Sequence, residues 1–267
     1  MRNNDFLTKF LVAYPSIPSH ALWRAIEAKL LSEEHFEYPL LDLGCGDGIF
    51  AKILFRDKSG EIIGCDVSRE CVKAANNQRI YVEVVVADGR LLPYRDSYFA
   101  TVISNCVLEH IPEDFKVLKE VSRVLRENGR LIFTVPSENF VKNLRIQDKN
   151  YVKSINERLE HFHYRSPEEW RRLLHRCNLT LEKFRYYLPK QVQQVWEILF
   201  RFDTKKLLGR ELCRLLGSKK IGCWFITRLL SPIVFKRLLW KWYLRGTIDD
   251  GKGGALLIIA RKGRCGL

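Results

Sequence analysis

A few glycines and acids between positions 40 and 90 have the types and spacing to hold a nucleotide-like ligand. In Leu40-Leu41-Asp42-Leu43-Gly44-Cys45-Gly46-Asp47-Gly48-Ile49-Phe50 an apolar strand pattern runs into a glycine turn and then a helix pattern. Glycines let the backbone approach a ligand closely, and the N–H groups that open the next helix face whatever lies over the strand end. Ile49 stands where the third glycine of G-x-G-x-x-G would fall, which disfavours a dinucleotide. Twenty residues after Gly46, Asp66 closes the run Ile62-Ile63-Gly64-Cys65-Asp66. An ionised carboxylate only accepts hydrogen bonds, so at that place it suits the paired hydroxyls of a ribose. Capping a helix over Ser68 to Asn76 is its competing role, and the two can coexist. Asp88 and Gly89 end a further run, offering an acceptor for an exocyclic amine such as adenine N6 and a glycine that can lie against a flat ring.

Two further groups could act on a substrate. Glu109 and His110, at the end of a fourth strand pattern, are candidate general bases, or else residues that open a helix and shape a pocket. Tyr151, Asn156, His161, His163, Tyr164 and Arg165 cluster after a fifth strand, on a connection that crosses the strand ends. Substrate contacts by Tyr151, His161, His163 and Tyr164 are one reading, and a surface loop with incidental histidines is the other.

The elements that must position these residues alternate short β-branched runs with helical patterns, the signature of a parallel sheet. Strands are predicted at Pro39 to Leu43, Glu61 to Asp66, Val82 to Val86, Phe99 to Ser104, Arg130 to Val135, Thr180 to Tyr186 and Ala255 to Ala260. The fold class is therefore α/β, a Rossmann-like, doubly wound, seven-stranded and mostly parallel sheet. Ser166-Pro167 with Glu169 three residues on predicts a capped helix to Cys177. Ahead of the sheet, Leu22, Ile26 and Leu30 share one helical face, so a packed helix is expected; its Arg24 and Glu27 read as ligand contacts or, in preference, as a solvated ion pair.

From Leu40 to Pro136 the elements LDLGCGDG, GCDVS, ADGRLLPYRD, VISNCVLEHI and VLRENGRLIFTVPS resemble, in order, the consecutive motifs of the class I methyltransferases of type 11. The resemblance implies S-adenosylmethionine as cofactor, S-adenosylhomocysteine as product, and an antiparallel last strand. It implies that Gly44, Cys45, Gly46 and Gly48 line the methionine end, with Asp42 supporting the amine. Asp66 and Val67 would hold the ribose, Asp88 and Gly89 would read adenine, and Asn105 would sit near the sulfonium. In-line displacement then needs alignment and a dry site, with a base only if the nucleophile must lose a proton.

Composition narrows the setting. The 267 residues are 46% hydrophobic, enough for a real core, and fit a single domain. Within it, residues 1–36 read as a helical extension, 37–187 with 255–263 as the core, and 188–254 as an insertion where the plain family architecture has a short hairpin. Eight cysteines without a C-x-x-C pair read as reduced thiols in a cytosolic protein, and no ligand spacing suggests a metal site. The amino-terminal apolar run is too short for a signal peptide, and Ile221 to Phe235 is broken by Arg228 and Pro232, short of a membrane span.

The net charge of +14 is concentrated, since Pro189 to Gly246 holds thirteen Lys and Arg against three Asp and Glu. Val192, Val195, Trp196 and Leu199 recur at helical spacing there. After Pro232 a wheel places Val234, Phe235, Leu238, Leu239 and Trp242 together, with Lys236, Arg237 and Lys241 opposite. Such a segment suits either a self-packed substrate cap or peripheral docking on an anionic inner membrane face.

The reading is methyl transfer to a small or lipid-like acceptor. An RNA or DNA acceptor is the alternative that charge suggests, yet Ser104-Asn105-Cys106-Val107 lacks the Asn/Asp-Pro-Pro-aromatic element used on base amines, and Cys106 lacks a neighbouring proline. A non-catalytic cofactor-binding module is a third reading, against which the intact Asp66 and Asp88 argue.

Overall fold

Consecutive strand residues point to opposite faces of a sheet, so Leu40 joins one apolar layer while Leu41 and Leu43 join the other. The computed structural model describes residues 5–56, 59–203, 206–207, 210–211 and 231–263. Its main sheet comprises β1 (Leu40–Leu43), β2 (Ile62–Asp66), β3 (Glu83–Val86), β4 (Phe99–Asn105), β5 (Leu125–Pro136), β6 (Leu179–Tyr187) and β9 (Ala255–Lys262). The two-residue strands β7 (Lys206–Leu207) and β8 (Arg210–Glu211) form a separate ladder. The seven main strands run in the order β3-β2-β1-β4-β5-β9-β6. All pairs are parallel except those of β9, which is antiparallel to both β5 and β6. The expected Rossmann-like α/β class is the observed one. β5 starts at Leu125 rather than Arg130, because Leu125 pairs with Phe99 across an irregularity in the β4–β5 ladder.

Strand order reverses between β1 and β4, and ligands of open α/β sheets bind outside the strand ends at that switch point. On one face lie α5 (Asp114–Val124) and α8 (Pro167–His175), whose Val117, Val121, Trp170 and Leu174 pack on Val102, Phe133 and Ile258. Ser166 caps α8 reciprocally: its hydroxyl accepts from the Glu169 N–H at 3.3 Å, and Glu169 accepts from the Ser166 N–H at 2.8 Å. Such a box stabilises a helix by about 1 kcal/mol.

The opposite face carries α1 (Phe6–Ala13), α2 (Pro18–Leu31), α3 (Ile49–Leu54), α9 (Lys190–Asp203) and α10 (Ser231–Gly246). There α2 is wrapped by α1, α9 and α10. The remaining helices are α4 (Arg69–Asn76), capped by the Ser68 hydroxyl, and α6 (Phe140–Asn143) and α7 (Lys149–Leu159), which follow β5.

In α10 the buried stripe is Pro232, Leu239, Tyr243 and Gly246, rotated from the expected one. Val234 and Leu238 are exposed, and Lys236, partly exposed, binds Asp5 at 2.5 Å. Asp5 is the acidic cap residue of α1, so this bond joins α10 to α1. The expected apolar stretch from Ile221 lies up to residue 230 outside the described residues, as do Cys213, Cys223 and Cys265; Cys45, Cys65, Cys71, Cys106 and Cys177 are free thiols.

Candidate active site

At the switch point a cavity of about 310 Å3 is lined by Leu43, Gly44, Asp66, Val67, Asp88, Gly89, Val107 and His110, among others. Gly44, at φ +75°, is required by a close approach, since a Cβ there would lie 2.5 Å from a methyl of Val107. Gly46, at φ +54°, faces open space instead, and a Cβ would meet nothing within 4 Å. Asp66 uses one oxygen to accept from the Gly46 N–H at 3.0 Å and the other to accept from the Ser68 N–H at 2.9 Å. Each oxygen keeps a second lone pair for a diol, so positioning the glycine loop and holding a ligand are compatible. Asp88 is gripped by the Arg90 guanidinium at 2.7 Å, which lowers its pKa, so a ring amine would share that carboxylate with Arg90.

A second cavity, of about 440 Å3, lies under α1, α2 and α9. Its walls are mainly aromatic: Trp23 stands 5.2 Å from Trp196 and 6.2 Å from Phe140, edge-on in both cases, and Trp196 stacks on Phe200 at 5.0 Å. Cys106, Glu109, His110, His161 and Asp203 bring its polar groups, with Ser19, His20 and Arg24 on the α2 side. His110 lines both cavities.

The polar end is poised by burial. Glu109 is buried and one of its oxygens has no partner; desolvation, with Glu27 nearby, pushes its pKa up to about 8. Desolvation lowers the pKa of His110, and that of His161 to about 3, so both rings are neutral at physiological pH. The Nδ1 of His110 stands 3.2 Å from the Glu160 carbonyl, which can only accept, so Nδ1 carries the proton. The Nδ1 of His161 lies 3.1 Å from the Tyr164 hydroxyl, and that hydroxyl donates to Asn156 at 2.7 Å, so His161 is fixed in the same tautomer.

Residues 41–133 match a family model described as a methyltransferase domain. Residues 41–133 are a methyltransferase domain of the type 11 family. Among relatives, the glycine/sarcosine/dimethylglycine N-methyltransferase of Actinopolyspora halophila is 31% identical over 61% of this chain and 30% of its own length. A tRNA (carboxymethyluridine(34)-5-O)-methyltransferase of Arabidopsis thaliana is 36% identical over 36% of this chain and 23% of its own. The matched segments span half or less of these curated relatives' lengths. Among solved structures, the geranyl diphosphate C-methyltransferase of Streptomyces coelicolor, with S-adenosylhomocysteine bound, superposes with a TM-score of 0.56 over 88% of this chain and 79% of that one, at 18% identity. That likeness shows the fold.

Within the methyltransferase domain the expected cofactor residues divide. Gly44, Asp66, Val67, Asp88 and Gly89 line one cavity. Asp42 sits behind it, buried, its pKa raised to about 6 by desolvation while the Tyr81 hydroxyl donates to it at 2.7 Å. Cys45 is buried, and Gly48, before α3, packs against Ala75 and Tyr81. Asn105 turns toward the helical layer, donating to Glu27 at 3.1 Å and accepting from Thr134 at 2.7 Å.

Of the expected substrate residues, His161 lines the aromatic cavity and Tyr164 backs it. His163 instead donates to the Ile111 carbonyl at 3.0 Å and touches Arg165, which pairs with Asp114. Tyr151 lines a separate groove with Arg158 and Arg201.

Arg24 and Glu27 are not a solvated pair. Glu27 is fully buried, bound to Arg24 at 3.0 Å, and receives Trp23 Nε1, Tyr187 Oη and Cys106 Sγ on its other oxygen at 2.8, 2.8 and 2.9 Å. The side of α2 opposite Leu22 and Ile26 faces the polar ends of β4, β5 and β6 rather than water. Trp23, Trp196 and Phe140, which wall the aromatic cavity, carry no sequence signal distinguishing them from ordinary core aromatics.

Proposed function

We propose that the chain transfers a methyl group from S-adenosylmethionine to a small, largely apolar acceptor bound between α2 and α9. The observation that carries this reading is His110, one residue forming a wall of both the cavity at the glycine loop and the aromatic cavity. A donor in the first and an acceptor in the second would face each other across that turn, the alignment that displacement requires. S-adenosylmethionine supplies a methyl group already activated by its sulfonium. The fit of the first cavity to such a group rests on the lining Gly44, where no side chain intrudes, and the spare lone pairs of Asp66. The chain's remaining work is to exclude water, which the aromatic walls do, and to hold the reacting atom at the polar end formed by Glu109 and His110.

The same walls favour a small acceptor over a nucleic acid. Arg24, the cavity's lining cation, is neutralised by Glu27 and is not free for phosphate. Incubating the protein with methyl-labelled cofactor and separate lipid, small-molecule and tRNA extracts tests this reading. Label is expected in the organic-soluble fraction. Label confined to RNA would overturn it, and no label despite S-adenosylhomocysteine binding would favour the non-catalytic module.

A second reading concerns where the acceptor is met. The outer side of α10 exposes Ile233, Val234, Leu238, Trp240 and Leu244 among Arg237, Lys241 and Arg245. Apolar groups and cations on one exposed face suit an anionic lipid interface. Among the described residues no helix is long and apolar enough to cross a membrane.

A further inference from the structure

We propose that Glu109, His110 and His161 form a binding site for one divalent metal ion of the kind that accepts imidazole ligands, at the polar end of the acceptor cavity. The proposal rests on the reading of that cavity as the acceptor site, and it states how the reacting end of the acceptor is held. Each of the three residues offers one potential ligand atom, and the three atoms lie within 4.8 Å of one another. All three line the same cavity.

The hydrogen bonds around the two histidines leave each ring with one free lone pair. The Nδ1 protons of both histidines are spent outward, on the Glu160 carbonyl and the Tyr164 hydroxyl, which leaves each Nε2 with its lone pair. Imidazole ligands of metal ions are oriented in this way, by a bond from the second ring nitrogen to a carbonyl or hydroxyl. The Tyr164 hydroxyl is itself fixed by Asn156, and its ring stacks on Phe140 at 5.3 Å, so the support is rigid. Glu109 adds a buried oxygen without a partner, which is costly unless something supplies positive charge there. Arg24 is near enough to be felt there, but its guanidinium is bonded to Glu27 and the Asn105 carbonyl and gives Glu109 no hydrogen bond. Glu27 also cancels the charge that would otherwise repel a second cation.

Two imidazoles and one carboxylate suit zinc, iron or manganese better than calcium or magnesium, and three protein ligands leave open positions for a bound molecule. Those positions would face the aromatic cavity, where an oxygen of the acceptor can coordinate. The class of acceptor that follows is an apolar molecule carrying a hydroxyl, enol or carboxylate oxygen at or beside the methylated atom.

The full-length chain, stripped with chelator, is dialysed against Zn2+ and analysed for bound metal, and against Co2+ for its visible spectrum. About one ion per chain is expected, with Co2+ bands typical of nitrogen and oxygen ligands and no thiolate charge-transfer band. Glu109→Gln and His161→Ala should each weaken Zn2+ binding at least ~100-fold, and Tyr164→Phe, which removes an outer partner, by ~10-fold. Should Glu109→Gln or His161→Ala fold poorly, Tyr164→Phe and the wild-type Co2+ spectrum still decide. Zn2+ retained equally by these variants, a thiolate band, or no ion bound at micromolar metal would overturn the proposal. Calorimetry with S-adenosylhomocysteine runs in parallel. Cofactor binding without metal binding would sink the ion alone, whereas loss of cofactor binding in the wild type would sink the methyl-transfer reading.

Discussion

Tyr187, at the end of β6, donates its hydroxyl to Glu27 in the middle of α2 across 2.8 Å, joining positions 160 residues apart in the chain. The same carboxylate holds Arg24, Trp23, Cys106 and Asn105, so one buried acid ties the amino-terminal helices to β4 and β6. Removing one partner of a buried charged network leaves the others unpaired, which costs more than the pair itself contributes. Glu27→Ala is therefore expected to lose about 3–5 kcal/mol in urea unfolding, while Tyr187→Phe loses about 1–2 kcal/mol. Equal, small losses in both would show that the network is not a unit.

Asp66 anchors the glycine loop through Gly46 and offers its remaining lone pairs to the cofactor. S-adenosylhomocysteine at a hundred times its Kd should stabilise the native chain by about 2.7 kcal/mol, seen as a rise in Tm, and NAD should not. Asp66→Ala should abolish most of that rise. Stabilisation by NAD alone would remove the basis for the cofactor assignment.

Asp203, near the end of α9, is buried, with one oxygen accepting from the Ser19 N–H at 3.0 Å and the other lacking a partner. Burial raises its pKa to about 6, so the native state prefers the protonated acid. Its contribution is fully present below the ordinary carboxyl pKa of about 3.9 and is lost as pH rises through about 6. Asp203→Asn should match the wild type near pH 4 and exceed it above pH 7, by up to ~3 kcal/mol for a shift of this size. A constant difference across that range would exclude a titrating Asp203.

If the outer face of α10 meets anionic lipid, phosphatidylserine-containing vesicles should sediment the protein at low salt and release it as salt rises. Replacing Arg237, Lys241 and Arg245 by Gln should weaken sedimentation several-fold, and Trp240→Ala should weaken it further, with cofactor affinity unchanged. Lys236→Gln should act on stability instead, through its bond to Asp5. Vesicles ignored by the wild type at low salt would leave α9 and α10 as a cap alone.

Much of the sheet was legible because its signals are local. Short β-branched runs marked the seven strands, Ser166 with Glu169 announced a capping box, and the glycines with Asp66 and Asp88 marked the switch point. What escaped depends on which side of a helix meets which neighbour. Hydrophobic periodicity put Leu22, Ile26 and Leu30 inside but could not show that Glu27 also points inward, because its partners Asn105, Tyr187 and Cys106 come from distant strands. The same blindness applies to α10, whose Lys236 binds Asp5 of α1. His161 and His163 are equivalent by sequence. Only the path of the loop decides that His161 enters the cavity while His163 ties that loop to Ile111. Tyr81, which supports Asp42, had no signal at all.

The last sheet strand in chain order, β9, is an interior one, seated between β5 and β6 and buried along nearly its whole length. A ribosome makes β5 and β6 well before it makes β9, so the nascent chain must wait, with both flanking edges open, until everything between Tyr187 and Ala255 has emerged. Those edges carry apolar residues such as Phe133 and Leu181 and unpaired backbone groups, the arrangement that recruits stray strands. The time taken to elongate from Tyr187 to Ala255 therefore bears on how long those edges stay open.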